Sequence, residues 1–295
     1  MKQLLIVKCG AAGDVVRTTP LIHAFSGWAI DWLTAPEASE LLPRARVRRV
    51  LEHPEELDRS LTYDLAISLE DEQDYLSEVF SRLRSRKLFG AYIENGTPTY
   101  TPDSAEWFDL GLISRFGVRE ADARKLRNRS SYQEMIFRGL DLTFAGEPYI
   151  LPEDIPPPGL TGDIAVAAKA GPRWPAKNWA HVDEFIRQMA GNHTVNVLPA
   201  RPTIKEHIAD IKGHRVLVSG DSLPMHLAIG LGVPVVALFT CTSPWEIFAY
   251  PGVTKIISPV LEKYFYTRKD HPEATRAISV DQVTEAVTEY LNERH

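Results

Sequence analysis

The stretch VLVSGDSLPMHLAIGLGVPVVALFTCTSP, Val216 to Pro244, decides how the chain is read. An apolar run ends at Val218, and Ser219, Gly220, Asp221 and Ser222 form a turn. Pro224 suits the first turn of a helix, where its missing N–H costs nothing. Met225 and His226 then fall in that same turn, and a second apolar strand follows. Unpaired N–H groups and the positive end of the helix make such a junction an anion site suited to a diphosphate. An ordinary capped junction has the same spacing, and on spacing alone the two readings stand even. His226 by itself reads as a satisfied helix histidine.

Outward from this stretch, short apolar strands alternate with helices in both directions. DIAVAA, TVNVLP, HRVLVSG, VPVVALF and VTKIISP are separated by the helix-like NWAHVDEFIRQMAG, IKEHIADIKG and LPMHLAIGLG. The first half offers the strands LLIVK, WAIDWLT, VRRVLEH and YDLAISL, a helix through Thr18–Ala24, and a second helix over Asp74–Leu88. Strands alternating with helices predict doubly wound parallel sheets. The proline-rich ILPEDIPPPGLTGD, Ile150 to Asp163, is a stiff connector. We place the boundary there, giving domains 1–155 and 156–295, the latter ending in a helix over Val280–Leu291 with apolar residues near helical spacing.

Composition narrows the classes. The 295 residues are 44% hydrophobic and 24% charged, with formal net charge −6, so no bulk field recruits nucleic acid. Basic residues gather locally at Arg44, Arg46, Arg48 and Arg49, at Arg82–Lys87 and at Arg124–Arg129. Such clusters are mostly solvated faces, with a phosphorylated acceptor or an anionic membrane surface as the minority reading. Cys9 and Cys241 have no CxxC partner, which argues against zinc or redox chemistry. No signal peptide or membrane span is readable, and a cytoplasmic location is expected.

The opening LLIVKCGAAGDVVRTTPLIHAF, Leu4 to Phe25, runs from a strand through a glycine-containing turn into a helix. Asp14 in that turn is ill placed for a phosphate cradle, and from the residues alone helix capping outweighs catalysis. Gly10 and Gly13 lack the GxGxxG order, so a nicotinamide dehydrogenase is the weakest rival.

Three motifs in order, GDVVRTTPLIHA, PRWPAKNWAHVDEF and GDSLPMHLA with its TSP turn, resemble glycosyltransferase family 9, the ADP-heptose:lipopolysaccharide heptosyltransferases. The resemblance implies a GT-B fold of two Rossmann-like domains, with acceptor on the first and donor on the second. It implies inverting transfer of a heptose or related hexose from a nucleotide diphosphate, expected to be ADP-linked, without metal or other cofactor. The acceptor would be a saccharide or glycoconjugate, in lipopolysaccharide-type biosynthesis, at the inner face of a membrane if the enzyme associates peripherally. Asp14 maps to the general base, a role worth roughly 10²–10⁴-fold. Asp221, Ser222 and His226 map to the donor site, with Leu223, Pro224 and Met225 lying between them. Lys169, Arg173 or Lys177 would stabilise the departing diphosphate, and Gly13, Arg17 and Thr18 would hold the acceptor or orient Asp14.

The pattern has departures. Leu223 stands where the family has glycine, Phe239–Thr242 replaces an FGPT-like turn, and Pro172 replaces a lysine. Only ARPTIKEHIADIKGH separates VNVLP from RVLVSGD, a shortened nucleotide-binding region. Two other functions stay open: a sugar-nucleotide epimerase or hydrolase on the same fold, and a degenerate sugar-nucleotide-binding protein.

Overall fold

Leu4, Leu5, Ile6 and Val7 have no exposed surface, as a strand covered on both faces requires. In the computed structural model, which describes residues 1–292, they form the centre of a six-stranded sheet in the first of two units, Met1–Glu153 and Asp154–His295. The first sheet comprises β1 (Gln3–Val7), β2 (Ala29–Leu33), β3 (Arg49–Leu51), β4 (Leu65–Ser68), β5 (Leu88–Glu94) and β6 (Thr97–Tyr100). Its order is β3-β2-β1-β4-β5-β6. The first five strands run parallel, and β6 pairs antiparallel with β5.

The helix expected through Ala24 is broken in two, α1 (Ala12–Thr18) and α2 (Leu21–Ala24). Pro20, with no N–H to continue the ladder, stands at the break. The helix expected over Asp74–Leu88 is shorter, α3 (Gln73–Arg82), because Leu83 turns extended and the chain goes on to β5. Asn95 and Gly96, both at positive φ, then make a two-residue hairpin into β6 that the sequence reading missed. Helices α4 (Ala105–Phe108), α5 (Val118–Arg127) and α6 (Tyr132–Gly139) complete the unit.

The second unit follows the strand–helix alternation of its sequence. It contains β7 (Gly162–Ala167), α7 (Val182–Met189), β8 (Val195–Val197), α8 (Ile204–Lys212), β9 (His214–Gly220), α9 (Leu223–Leu231), β10 (Val235–Phe239), β11 (Val253–Ile257), α10 (Pro272–Arg276) and α11 (Val280–Asn292). All strand pairs are parallel, in the order β11-β10-β9-β7-β8. Alternate strand residues Ile164, Val166, Val216, Val218, Val236 and Leu238 share a core with Phe185 of α7 and Val283 and Val287 of α11. That two-residue period puts one face of every strand against the same helix layer.

Chain order reverses direction between β1 and β4 in the first sheet, and between β7 and β9 in the second. Open α/β sheets bind ligands beyond the carboxyl ends of strands at such switch points. The Asp14 turn follows β1, and the Asp221 turn follows β9, so each unit has its candidate residues where the topology leaves a crevice.

Gly90 in β5 has φ +104°, and a Cβ there would lie 1.9 Å from the Ser68 carbonyl oxygen of β4. Gly90→Ala is expected to lower unfolding free energy by roughly 3 kcal/mol, combining a strained φ with backbone overlap. A fall in the urea midpoint at unchanged m-value would show it; an unchanged midpoint would contradict this placement.

Candidate functional site

The site in the second unit begins with a short 3₁₀ turn, Pro175–Lys177. Thr240 Oγ1, just past β10, donates to the Ala176 carbonyl at 2.7 Å, and Ala176 is fully buried. Trp179 fixes the next residues, its N–H on the Ala168 carbonyl and its indole N–H on the Ile278 carbonyl. Gly220 at the end of β9 lets this turn approach closely, since a Cβ there would stand 3.3 Å from the Lys177 carbonyl oxygen. Lys177 is thereby delivered to the β9–α9 junction. Its Nζ donates to the Asp221 carbonyl at 2.8 Å and to Asp221 Oδ2 at 3.1 Å.

Burial alone would raise the Asp221 carboxyl, but Lys177, the nearby His226 and the Thr242 hydroxyl outweigh it and pull the group down to about 2. His226 itself, in the first turn of α9, is buried. Ser222 is the N-cap residue, yet its hydroxyl turns back to the Gly220 carbonyl at 3.3 Å instead of capping the helix. Pro224 brings no N–H, and the Met225 N–H is taken by the Ser222 carbonyl. Few backbone donors are thus left at the junction, and the Lys177 ammonium is the cation placed beside it. Leu223 is the first helical residue, so this position needs no glycine for its backbone and accommodates a Cβ. Lys169 and Arg173 stand exposed on the loop after β7.

The sequence reading missed Trp174, Tyr266 and Arg268. The Lys177 ammonium lies 5.2 Å from the Trp174 ring centre, and the Arg268 guanidinium 4.9 Å. Tyr266, at φ +53°, packs edge-on to the same ring, and its N–H donates to the Cys241 carbonyl. Its hydroxyl donates to the buried Glu246 at 3.2 Å. Trp174 stands in the motif already quoted, but nothing in local spacing joins it to residues some ninety positions later.

In the first unit Asp14 lies inside the first turn of α1, whose N-cap is Ala11 without a side-chain cap. Asp14 is therefore not the N-cap residue. Its Oδ1 pairs with Arg17 Nε at 3.0 Å. Arg17 is buried, its guanidinium 4.3 Å from the Tyr132 ring centre and 5.4 Å from that of Trp107, and its carbonyl accepts from Gln133 at 2.8 Å. Thr18 Oγ1 donates to the Asp14 carbonyl and shares a 2.8 Å hydrogen bond with the Tyr132 hydroxyl. Gly13 is a residue of α1 beside Asp14.

Glu70, the first of the three acidic residues Glu70-Asp71-Glu72, is enclosed and receives Lys8 Nζ and the Cys9 and Gly10 N–H groups on one oxygen. Burial lowers the Lys8 ammonium's affinity for its proton, but Glu70 and Asp14 more than offset this and hold it above the ordinary lysine value. Burial also pushes the Cys9 thiol up to about 12, which makes it a poor nucleophile. Among the described residues no group of three or more His, Cys, Asp and Glu side chains is placed to hold a metal, and no helix is long and apolar enough to cross a membrane.

Residues 173–274 match the glycosyltransferase family 9 (heptosyltransferase) sequence pattern. The matched stretch lies within the C-terminal unit and is similar to that family. The match takes in Arg173, Lys177, Asp221 and His226, with Trp174, Glu246, Tyr266 and Arg268. The whole chain has the GT-B fold of solved family 9 structures. A family 9 glycosyltransferase from Veillonella parvula DSM 2008 superposes with TM-score 0.65 at 14% identity, over 99% of this chain and 98% of that one. The E. coli heptosyltransferase WaaC, solved with ADP-2-deoxy-2-fluoro heptose, gives TM-score 0.61 at 14% identity, over 97% and 99%. The E. coli ADP-heptose lps heptosyltransferase II gives 0.61 at 16%, over 99% and 98%. Comparison with curated protein sequences found no match.

The Asp221 carboxyl, depressed from an ordinary 3.8 to about 2, makes a pH test of its pairing with Lys177. A group whose folded-state pKa is lowered adds stability above its unfolded pKa and loses it as pH falls through the folded one. Asp221→Asn is expected to cost about 2 kcal/mol at pH 7 and to flatten the fall in stability between about pH 4 and pH 2. Denaturant titrations across that range check it, and a variant curve parallel to wild type would contradict the pairing.

Proposed function

We propose that the protein is an inverting glycosyltransferase that moves a heptose or related hexose from a nucleotide-diphosphate sugar, ADP-linked, to a hydroxyl of a saccharide or glycoconjugate. The observation that carries this reading is the Lys177–Asp221 pair at the start of α9, inside the family-matched residues. The departing diphosphate gains negative charge, and the Lys177 ammonium, the Arg268 guanidinium and the positive end of α9 supply charge of the needed sign. In this reading Asp221 accepts sugar or ribose hydroxyls while holding Lys177 in place. Serving the leaving group in this way calls for no metal ion.

The first unit takes the acceptor in this reading. Arg17 orients the Asp14 carboxylate through Oδ1, and in this reading that carboxylate receives the acceptor proton as the anomeric carbon is attacked. Lys8 and Glu70 brace the turn that carries it. The solved relative bound to an ADP-heptose analogue supports the choice of ADP over other nucleotides. We place the reaction in the cytoplasm, with a membrane-borne acceptor reached from the inner face.

Two variants test the assignment. Lys177→Ala is expected to weaken binding of an ADP-sugar by about tenfold or more, the worth of a charge-assisted contact. Asp14→Asn is expected to bind the same donor normally and to lower turnover by roughly 10²–10⁴-fold. Calorimetry with ADP- and UDP-sugars, then product analysis over a panel of acceptors, reads both. No heat with any nucleotide sugar would sink the donor site, and wild-type turnover in Asp14→Asn would remove Asp14 as the base.

A further inference from the structure

The basic run ahead of β3 has no part in the chemistry above, and it lines a cavity of about 370 Å³ in the first unit. Arg44, Arg48 and Arg49 supply its cations, and Glu56 its one carboxylate. Behind them lies Asp31 of β2, with no exposed surface. Asp31 accepts Arg48 Nε at 2.8 Å and Nη2 at 2.6 Å, then Arg49 Nε at 3.1 Å and Nη2 at 2.5 Å. The Tyr63 hydroxyl adds a fifth bond at 2.7 Å.

One bidentate guanidinium and the tyrosine would satisfy a buried carboxylate. The second guanidinium brings a like charge beside the first, which opposes it. Each fork uses Nε and Nη2 on Asp31, so the Nη1 edges of Arg48 and Arg49 are not engaged there, and both side chains remain more than a third exposed. Arg44 adds a third cation on an exposed side chain. Glu56 Oε1 accepts the Glu52 and His53 N–H groups, so one of its oxygens is turned to the backbone. The lining thus sets three guanidiniums against Glu56, with Asp31 gripping two of them from behind and the Asp58 carboxylate in the field of Arg49. Planar forks fixed in this way match phosphate oxygens.

We propose that this cavity is a binding site for a phosphomonoester group, separate from the diphosphate site of the second unit. A concave site of this size suits a compact phosphate-bearing group, and the chain's net charge of −6 disfavours an extended polyanion. The proposal stands on the cavity and does not require glycosyl transfer.

Calorimetry on the full chain with inorganic phosphate and with glucose 6-phosphate, glucose as control, tests it, alongside co-sedimentation with phosphatidylcholine vesicles with and without phosphatidic acid. Phosphate or hexose phosphate is expected to bind, and Arg44→Gln to weaken it by about tenfold. Arg48→Lys, which keeps a cation on Asp31, is expected to weaken it as well, while Lys177→Ala leaves it unchanged. Binding to phosphatidic acid vesicles alone, with the same arginine dependence, would assign the phosphate to a lipid. No binding by any probe, or binding lost in Lys177→Ala and kept in both arginine variants, would overturn the proposal.

Discussion

The second unit's chemistry depends on one ion pair. Lys177 reaches Asp221 only because a threonine hydroxyl past β10 fastens the Pro175–Lys177 turn, and because Gly220 offers no Cβ to that turn. Three separate strand ends, those of β7, β9 and β10, therefore meet at a single charge pair. The parallel sheet sets those ends side by side at roughly 4.8 Å spacing. Remove Lys177, and the junction retains an aspartate at a helix start with little left to favour an anion.

The first unit solves a related problem with a different set of groups. A glycine-containing turn after β1 must be held against the end of β4, and Glu70 does so by taking three donors on one oxygen. Arg17, clasped by aromatic rings, fixes the orientation of Asp14. Both units thus place a carboxylate with a cation partner at the sheet's switch point. The roles we assign differ, since one carboxylate faces proton transfer and the other anchors a lysine.

The sequence carried much of this. Buried parallel strands are near-continuous apolar runs, so HRVLVSG and VPVVALF were legible directly, as was the helix opening at Leu223 with Pro224 in its first turn. The hairpin of β5 and β6 lies outside the strands read from the sequence, although Asn95-Gly96 is a strong local turn signal, because β5 begins at Leu88, where the expected helix ends, and Gly90 interrupts its apolar run. Lys177 is one of three cations that spacing does not rank; long-range hydrogen bonds join it, and not the exposed Lys169 or Arg173, to Asp221. Leu223 looked disruptive from motif comparison, yet the backbone there is ordinary helix. Glu70 is one of three consecutive acidic residues, and only tertiary closure encloses it. Tyr266 and Arg268 were illegible because the contact that gives them meaning joins segments distant in the chain.

Trp174 has a consequence of an optical kind. Its ring has two cations within about 5 Å of its centre, one of which grips Asp221. Indole emission is sensitive to the field across the ring, so any ligand that draws Lys177 or Arg268 away would alter this residue's fluorescence. The protein therefore carries, beside its main charge pair, a native chromophore that registers where those two cations are.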